Sequence, residues 1–294
     1  MKNSTLKNII KLSIGLASLL PLTKTDRTFA LDACAPSDSV TSMSSESNPC
    51  FITPEMLKVK FYEIGFCTSD PLSSGTFDNS TCQKTWDNTS GFTTDIGKKI
   101  YEKMQGNIYK IPNGTYGYSY AIMNNSWVYK GKYKLKNGNT WYTRSDGGVT
   151  SDISSYAEWK DDINNMLGEE TTDLCYDYSA NTSDGQVTAL LADSNNITAT
   201  NAATCGSATR VIGSINLNRA LRVTDLVYGY RLTWKITNLG LGIEHFNNGS
   251  KQVPGSFRGG PFTPVFNLKY YITGSPQTGS TMYYEHSQDE IQSQ

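Results

Sequence analysis

Residues 111–144 read IPNGTYGYSYAIMNNSWVYKGKYKLKNGNTWYTR. Ile111-Pro112-Asn113-Gly114 is a turn signal. Beyond it, Tyr116, Tyr118, Tyr120 and Ile122 recur at every second residue, which puts them on one face of a strand. Asn124-Asn125 reads as a turn, and Trp127 to Leu135 as the next strand. Lys136-Asn137-Gly138-Asn139 is a strong hairpin turn, and Thr140 to Arg144 returns from it. Three consecutive antiparallel strands make a meander, and the fold class expected from it is mainly β.

The same alternation extends upstream. Leu57, Val59 and Phe61 alternate with Lys58, Lys60 and Tyr62, the pattern of a strand with one buried face. A long polar loop is expected over 67–91. Residues 93–104 carry Ile96, Ile100 and Met104 at helical spacing, but Gly97 favours a strand or a single turn. Downstream, 152–167 is the best helix candidate. Ile153, Tyr156, Ala157, Ile163, Met166 and Leu167 share one side, Asp152 stands at the N-cap position, and Gly168 follows the end. Further strands are expected at 173–178, 186–191, 208–217, 220–236, 239–246, 264–273 and 280–285. Short strands at such spacing point to antiparallel β-sandwiches with one connecting helix. The expected layout is a leader at 1–30, a polar lead-in at 31–55, and a β-sandwich-like segment at 56–145. A linker with the helix at 146–169, a β-rich segment at 170–286 and a polar tail at 287–294 complete it. A single sandwich with long insertions is the alternative.

The amino terminus reads as a secretory leader. Lys2, Lys7 and Lys11 precede the apolar run LSIGLASLL at 12–20, which is too short to span a bilayer. Thr28-Phe29-Ala30 is the best cleavage site, and cleavage after Ala33 is the second choice. Leu31-Asp32-Ala33-Cys34 resembles a lipoprotein box but does not abut the apolar run. No other segment is apolar enough to cross a membrane as a helix. Removing the leader takes away Lys2, Lys7, Lys11, Lys24 and Arg27 against only Asp26, so the mature surface is more acidic than the whole chain's net −1. With a pI near 6.2 there is no general basic surface for nucleic acid.

All six cysteines, Cys34, Cys50, Cys67, Cys82, Cys175 and Cys205, lie beyond the leader. An even number in an exported chain reads as disulfides, with fifteen possible connectivities. Pairing of sequence neighbours, Cys34–Cys50, Cys67–Cys82 and Cys175–Cys205, closes the smallest loops. Zinc is disfavoured, because no C-x₂-C pair exists.

Candidate functional groups are few. There are two His. Glu244-His245 falls in an expected strand, which puts neighbours on opposite faces and forbids a local dyad; His286 is in the tail. No G-x-S-x-G elbow is present. Glu158, Asp161, Asp162, Glu169, Glu170 and Asp173 cluster near the expected helix. Two of them could flank a glycosidic bond, but they read as a solvated face. Asp146-Gly147-Gly148 and Asp184-Gly185 are turns able to lend oxygens to a structural calcium; no other cofactor is expected. The aromatics at 116–142 could stack on sugar rings, with Trp127, Trp141 and Tyr142 as the candidate contacts. Equally they could be a core with cross-strand pairs. Tyr228, Tyr230 and Trp234 share a parity and read as core. Asn-x-Ser/Thr occurs at Asn79, Asn88, Asn113, Asn124, Asn181, Asn196 and Asn248, as expected by chance in so Asn- and Thr-rich a chain.

Ile-Pro-Asn-Gly-Thr-Tyr-Gly-Tyr at 111–118 resembles the L-P-x-G-x-Y turn-and-strand of prealbumin-like and collagen-binding-protein B-type surface modules. The resemblance covers 56–145. It implies a small sandwich in which Gly114 makes the turn and Tyr116 enters the core, and a cell-surface habit. That family's Lys–Asn isopeptide bond finds no matching acid or partner Asn here. The chain as a whole looks like exported bacterial proteins.

The function expected is that of a secreted or cell-surface structural or adhesive protein without enzymatic activity, such as a filament or surface-layer subunit. Its partners would be copies of itself or other surface proteins, paired through strand edges at Val59–Phe61 or Val265–Tyr271. A carbohydrate-binding module using the 116–142 aromatics is the alternative, and a secreted glycoside hydrolase a second. Intact mass of the native protein tests the export reading. The expected mass lacks residues 1–30 and six hydrogens; a retained leader, or six thiols alkylated without reductant, contradicts it.

Overall fold

Leu57, Val59 and Phe61 are fully buried, while Lys58, Lys60 and Tyr62 between them are only half so. One face of this strand therefore has to meet a second layer, and the rest of the fold supplies it. The computed structural model describes residue 34 and residues 50–98, 101–134, 138–163, 178–248, 251–270 and 283–287.

The strands in chain order begin with β1 (Cys50–Ile52), β2 (Met56–Cys67), β3 (Cys82–Asp95), β4 (Tyr101–Lys103) and β5 (Asn107–Ile108). Next come β6 (Gly114–Asn124), β7 (Ser126–Lys130), β8 (Lys132–Lys134), β9 (Thr140–Thr143), β10 (Val149–Thr150) and β11 (Trp159–Asp162). The later part holds β12 (Tyr178–Thr182), β13 (Gly185–Ala192), helix α1 (Ala202–Gly206), β14 (Arg210–Val223) and β15 (Val227–Lys235). It ends with β16 (Leu241–Asn248), β17 (Lys251–Gly259), β18 (Thr263–Tyr270) and β19 (Tyr283–Ser287). The chain is mainly β, as the alternation implies, with antiparallel pairing dominant; β19 runs parallel to β15.

The main sheet is organised around β2. On one side β2 pairs with β3, from Lys58↔Asp95 to Cys67↔Cys82. On the other side its first residues pair with β7, as in Met56↔Lys130, and its later ones with β6, as in Ile64↔Ala121. Thus β6 and β7 lie end to end along one edge of β2. The expected turn at Asn124-Asn125 is therefore corrected to a break within one extended run; of the expected meander of 116–144 only the second hairpin forms, with β8 antiparallel to β9 from Lys132↔Tyr142 to Lys134↔Thr140. The break is held from outside. The Asn125 side chain donates to the carbonyls of Ile163 and Ala208, at 3.1 and 2.9 Å, and the Asn125 carbonyl accepts from the Ile163 amide at 2.8 Å. At this point the outer neighbour changes: β14 pairs with β6, and β11 pairs with β7. β13 and β12 then extend the sheet beyond β14.

Two expectations fail for the same reason, which is that backbone pairing with distant strands outweighs local pattern. Residues 152–163 are not a helix. Asp152 caps a single 3₁₀ turn at Ile153–Ser155, accepting from the Ser154 amide at 2.9 Å. The chain then runs straight as β11, where Trp159 opposes Tyr129 and stacks on it with ring centroids 5.4 Å apart. Ile153, which began the apparent helical stripe, is 68% exposed. Residues 164–167 of that expected helix lie outside the described residues. The second failure concerns the division at 146–169. β14 of the later segment zips onto β6 of the earlier one over most of its length, and β1 pairs with β16. The strands of 56–145 and 170–286 therefore share a main sheet and do not build two separate sandwiches. The expected loop at 67–91 shortens to 68–81, because β3 starts at Cys82. β17 was not anticipated; the break expected near 218–219 is present as a register shift of β14 against β6 between Asn216 and Leu221, and the chain is interrupted a second time between β14 and β15.

Two disulfides sit as expected, Cys34–Cys50 and Cys67–Cys82. The second joins directly opposed residues of β2 and β3, at the base of the 68–81 loop. Cys205 is also disulfide-bonded; its expected partner Cys175 lies outside the described residues. Among the described residues no helix is long and apolar enough to cross a membrane.

The two faces of the main sheet are covered differently. The 68–81 loop folds over one face, where Leu72 and Phe77 pack on Tyr120, Ile122, Leu190 and Ile212. Gly65 is needed here, because the Tyr120 ring and the Gln83 carbonyl fill the space a Cβ would take. The other face meets the sheet of order β18-β15-β19-β4 and the three strands β1-β16-β17. Aromatic rings make that junction. Phe61 stacks on Trp234 at 4.8 Å, and Phe66 meets Phe266 and Tyr230 edge-on at 4.6 and 5.4 Å. Tyr116 enters this core, and its hydroxyl donates back to the Pro112 carbonyl at 2.9 Å, which closes the turn at 111–114.

Candidate functional site

Between the two layers lies a cavity of about 340 Å³. Its floor follows from cross-strand register. Ala189 of β13 opposes Gly213 of β14, Gly213 opposes Ala121 of β6, and Ala121 opposes Ile64 of β2. Opposed residues of a sheet project to the same face, so three adjacent strands present small side chains in one row. Large residues stand around this row. Trp127, Trp234, Phe262 and Phe266 form the walls, and Val187, Val211 and Ile215 flank the floor. Phe262 touches Trp127 at 5.2 Å and Trp234 at 5.3 Å between ring centroids, which fixes the walls to one another. The segment Arg258–Pro261 and residues 161–163 complete the lining.

The polar groups of this lining are few. Ser119 is buried, and its hydroxyl has no hydrogen-bond partner among the described residues. Asp161 accepts from the Gly259 amide at 3.2 Å, which ties β11 to the end of β17. Tyr129, behind this contact, is completely buried, and its hydroxyl has no hydrogen-bond partner among the described residues. Burial, and secondarily the charge of Asp161, push its phenol well above the ordinary range, so it stays protonated. Asp161, Asp162 and Arg258 put both signs of charge beside an otherwise apolar hollow.

The expected site residues are dispersed by the fold. Trp127 is 7% exposed and belongs to the core, with its indole N–H donating to the Asn124 carbonyl at 2.6 Å. Trp141 is partly buried against that core with its indole nitrogen buried, and Tyr142 beside it meets Tyr156 at 5.0 Å. The three do not form one exposed row. The carboxylates expected on a helix lie instead in or beside a strand, so Asp161 and Asp162 are turned to opposite faces. Glu158 pairs with Lys58 at 3.1 Å, Asp162 with Lys160 at 3.0 Å, and Asp161 turns to Gly259. Glu169, Glu170 and Asp173 lie outside the described residues. Of the turn acids, Asp146 is engaged by Arg144 and by the Gly148 amide, and Asp184 by Lys235 at 2.8 Å. Among the described residues no three His, Cys, Asp or Glu converge on a metal-sized space. Glu244-His245 does fall in a strand, β16, at a register shift against β17.

A second polar cluster lies at the β2–β3 edge. Lys84 bridges Glu63 and Asp87 at 3.0 and 2.9 Å, and Glu63 accepts from the Tyr120 hydroxyl at 2.7 Å. Burial pushes the Asp87 carboxyl up, but Lys84, Asn107 and Tyr109 together outweigh it and hold the group below its ordinary value. All of its charges are paired, so it reads as a structural clasp.

No protein-family model matches the chain, and neither does any curated protein or any solved structure.

The floor residues escaped sequence reading. Gly213 inside a strand pattern is the one local signal for them, since such a glycine marks close approach or open space. For Trp127 the structure makes a direct statement. Trp127→Ala is expected to lower stability by ~3–5 kcal/mol, the loss for a buried aromatic, in urea unfolding. A loss below ~0.5 kcal/mol, the range of ordinary surface substitutions, would place the ring outside the core.

Proposed function

We propose that the chain is an exported, non-enzymatic structural or adhesive protein that joins copies of itself, or other surface proteins, by strand pairing at β18. The observation that carries this reading is the position of the two strands nominated from the sequence. Val59–Phe61 lies in the interior strand β2: all three residues pair with β3, and on the other side β2 is held by β7 through Lys58 and by β6 through Phe61. Thr263–Tyr270 is the terminal strand of its sheet, paired only with β15 among the described residues. A terminal strand keeps one row of backbone N–H and C=O groups for an incoming chain. Pro264 and Lys269 are residues of the kind that blunt an edge, but Val265 to Leu268 between them carry none. The disulfides support an oxidising compartment outside the cytoplasm.

A glycan-stacking platform at 116–142 gains no comparable support, because Trp127 is enclosed by the core. Assembly is the test. Sedimentation and electron microscopy of the mature protein are expected to show oligomers or filaments. Asn267→Lys, at an exposed position of β18, is expected to leave a folded monomer, since like charges oppose edge-to-edge pairing. A native protein that stays monomeric at every concentration, or a variant that assembles equally well, contradicts the reading.

A further inference from the structure

We propose that the cavity between the layers is a binding site for a small, uncharged, largely hydrocarbon molecule carrying one hydroxyl or carbonyl group. Four observations converge on it. The first is size. An apolar cavity of ~150 Å³ accepts benzene, and this one is about 340 Å³. It therefore suits a two-ring aromatic or a chain of comparable volume, at the lower end of the ~300–1,000 Å³ typical of small-molecule pockets.

The second is how the space arises. Gly213 is not required by its backbone, whose φ is not positive. A Cβ built there meets only the terminal methyl of Met123, at 3.4 Å. A β-branched residue such as Val would be the better strand former and would fill the hollow. Glycine at the centre of the Ala189–Gly213–Ala121 row thus keeps the space open at the expense of strand propensity.

The third is the lining. Trp127, Trp234 and Phe262 present ring surface to the hollow, so a hydrocarbon body finds contact on its sides as well as below. The fourth is Ser119. It opposes Ile215, two residues along the strand from the Ala121–Gly213 pair, and so faces the same side. A buried hydroxyl without a partner costs free energy that a ligand oxygen would recover. Charge in the ligand is disfavoured, since the charged side chains of the lining are already engaged, Asp161 by the Gly259 amide, Asp162 by Lys160 and Arg258 likewise partnered, which leaves little to offset its desolvation. This site is independent of the β18 edge, and neither reading depends on the other.

Titration with 2-naphthol and naphthalene, followed by tryptophan fluorescence and calorimetry, tests the proposal. The folded protein is expected to bind both probes and to prefer 2-naphthol. Ser119→Ala is expected to abolish that preference while naphthalene binding stays within about twofold. Gly213→Val is expected to weaken both probes at least tenfold, with the near-ultraviolet circular dichroism of the native fold intact. Ala189→Leu fills the same row from the neighbouring strand and carries the test if Gly213→Val does not fold. Absence of binding to the native protein, or unchanged affinity in the folded cavity-filled variant, overturns the proposal. An unchanged preference in Ser119→Ala overturns the role given to the hydroxyl.

Discussion

Strand β2 is flanked by hydrogen-bonded strands on both sides, and the rest of the molecule is arranged by that constraint. β3 takes one edge as a disulfide-closed hairpin, and the end-to-end pair β6 and β7 takes the other. A strand in that position offers no open edge, so its main variable is which face each side chain serves. Phe61 and Phe66 go to the aromatic junction with the second layer. Between them a register shift at Tyr62 changes the parity, so Phe61 and Phe66 reach the same core although they stand five positions apart.

Much of the β character was legible for simple reasons. Leu57, Val59 and Phe61 alternate strictly, and β13, β16 and β18 carry compact runs of apolar residues between turn signals. What was not legible was partnership. Asn124-Asn125 has the composition of a turn, yet its carbonyl and amide groups are satisfied by residues 163, 208 and 209, far away in the chain. The stretch 152–163 has a helical period on paper. Four residue pairs with β7 and the stacking of Trp159 on Tyr129 outweigh it. No local pattern carries the information that a strand is waiting 30 or 90 residues away, and parity assignments inherit the same blindness. Tyr116 and Tyr120 look equivalent at even spacing, but they end in different clusters on opposite faces of the sheet.

The candidate sites follow the same division. The aromatic content of 116–142 was visible, and its role was not, because the sheet turns Trp127 inward. The cavity is a product of register across β13, β14, β6 and β2, so its floor residues are separated by more than a hundred positions at the extremes. The edge at β18 was visible as good strand text. Only the order of the sheets distinguishes it from Val59–Phe61, which reads equally well and is interior. Physical availability, in both cases, is decided by neighbours and not by the strand's own composition.

The central claim is that strands from the earlier and later parts of the chain form one cooperative sheet. Native-state hydrogen exchange across a urea series measures this directly. The slowest amides of β2, β6 and β14 should converge on a single opening free energy and a single urea dependence, because β6 cannot lose β14 without exposing its own edge. Exchange of Val211–Ile215 through a separate, lower-energy opening that leaves Ser119–Met123 protected would contradict the account, and would return the chain to two independently folded halves.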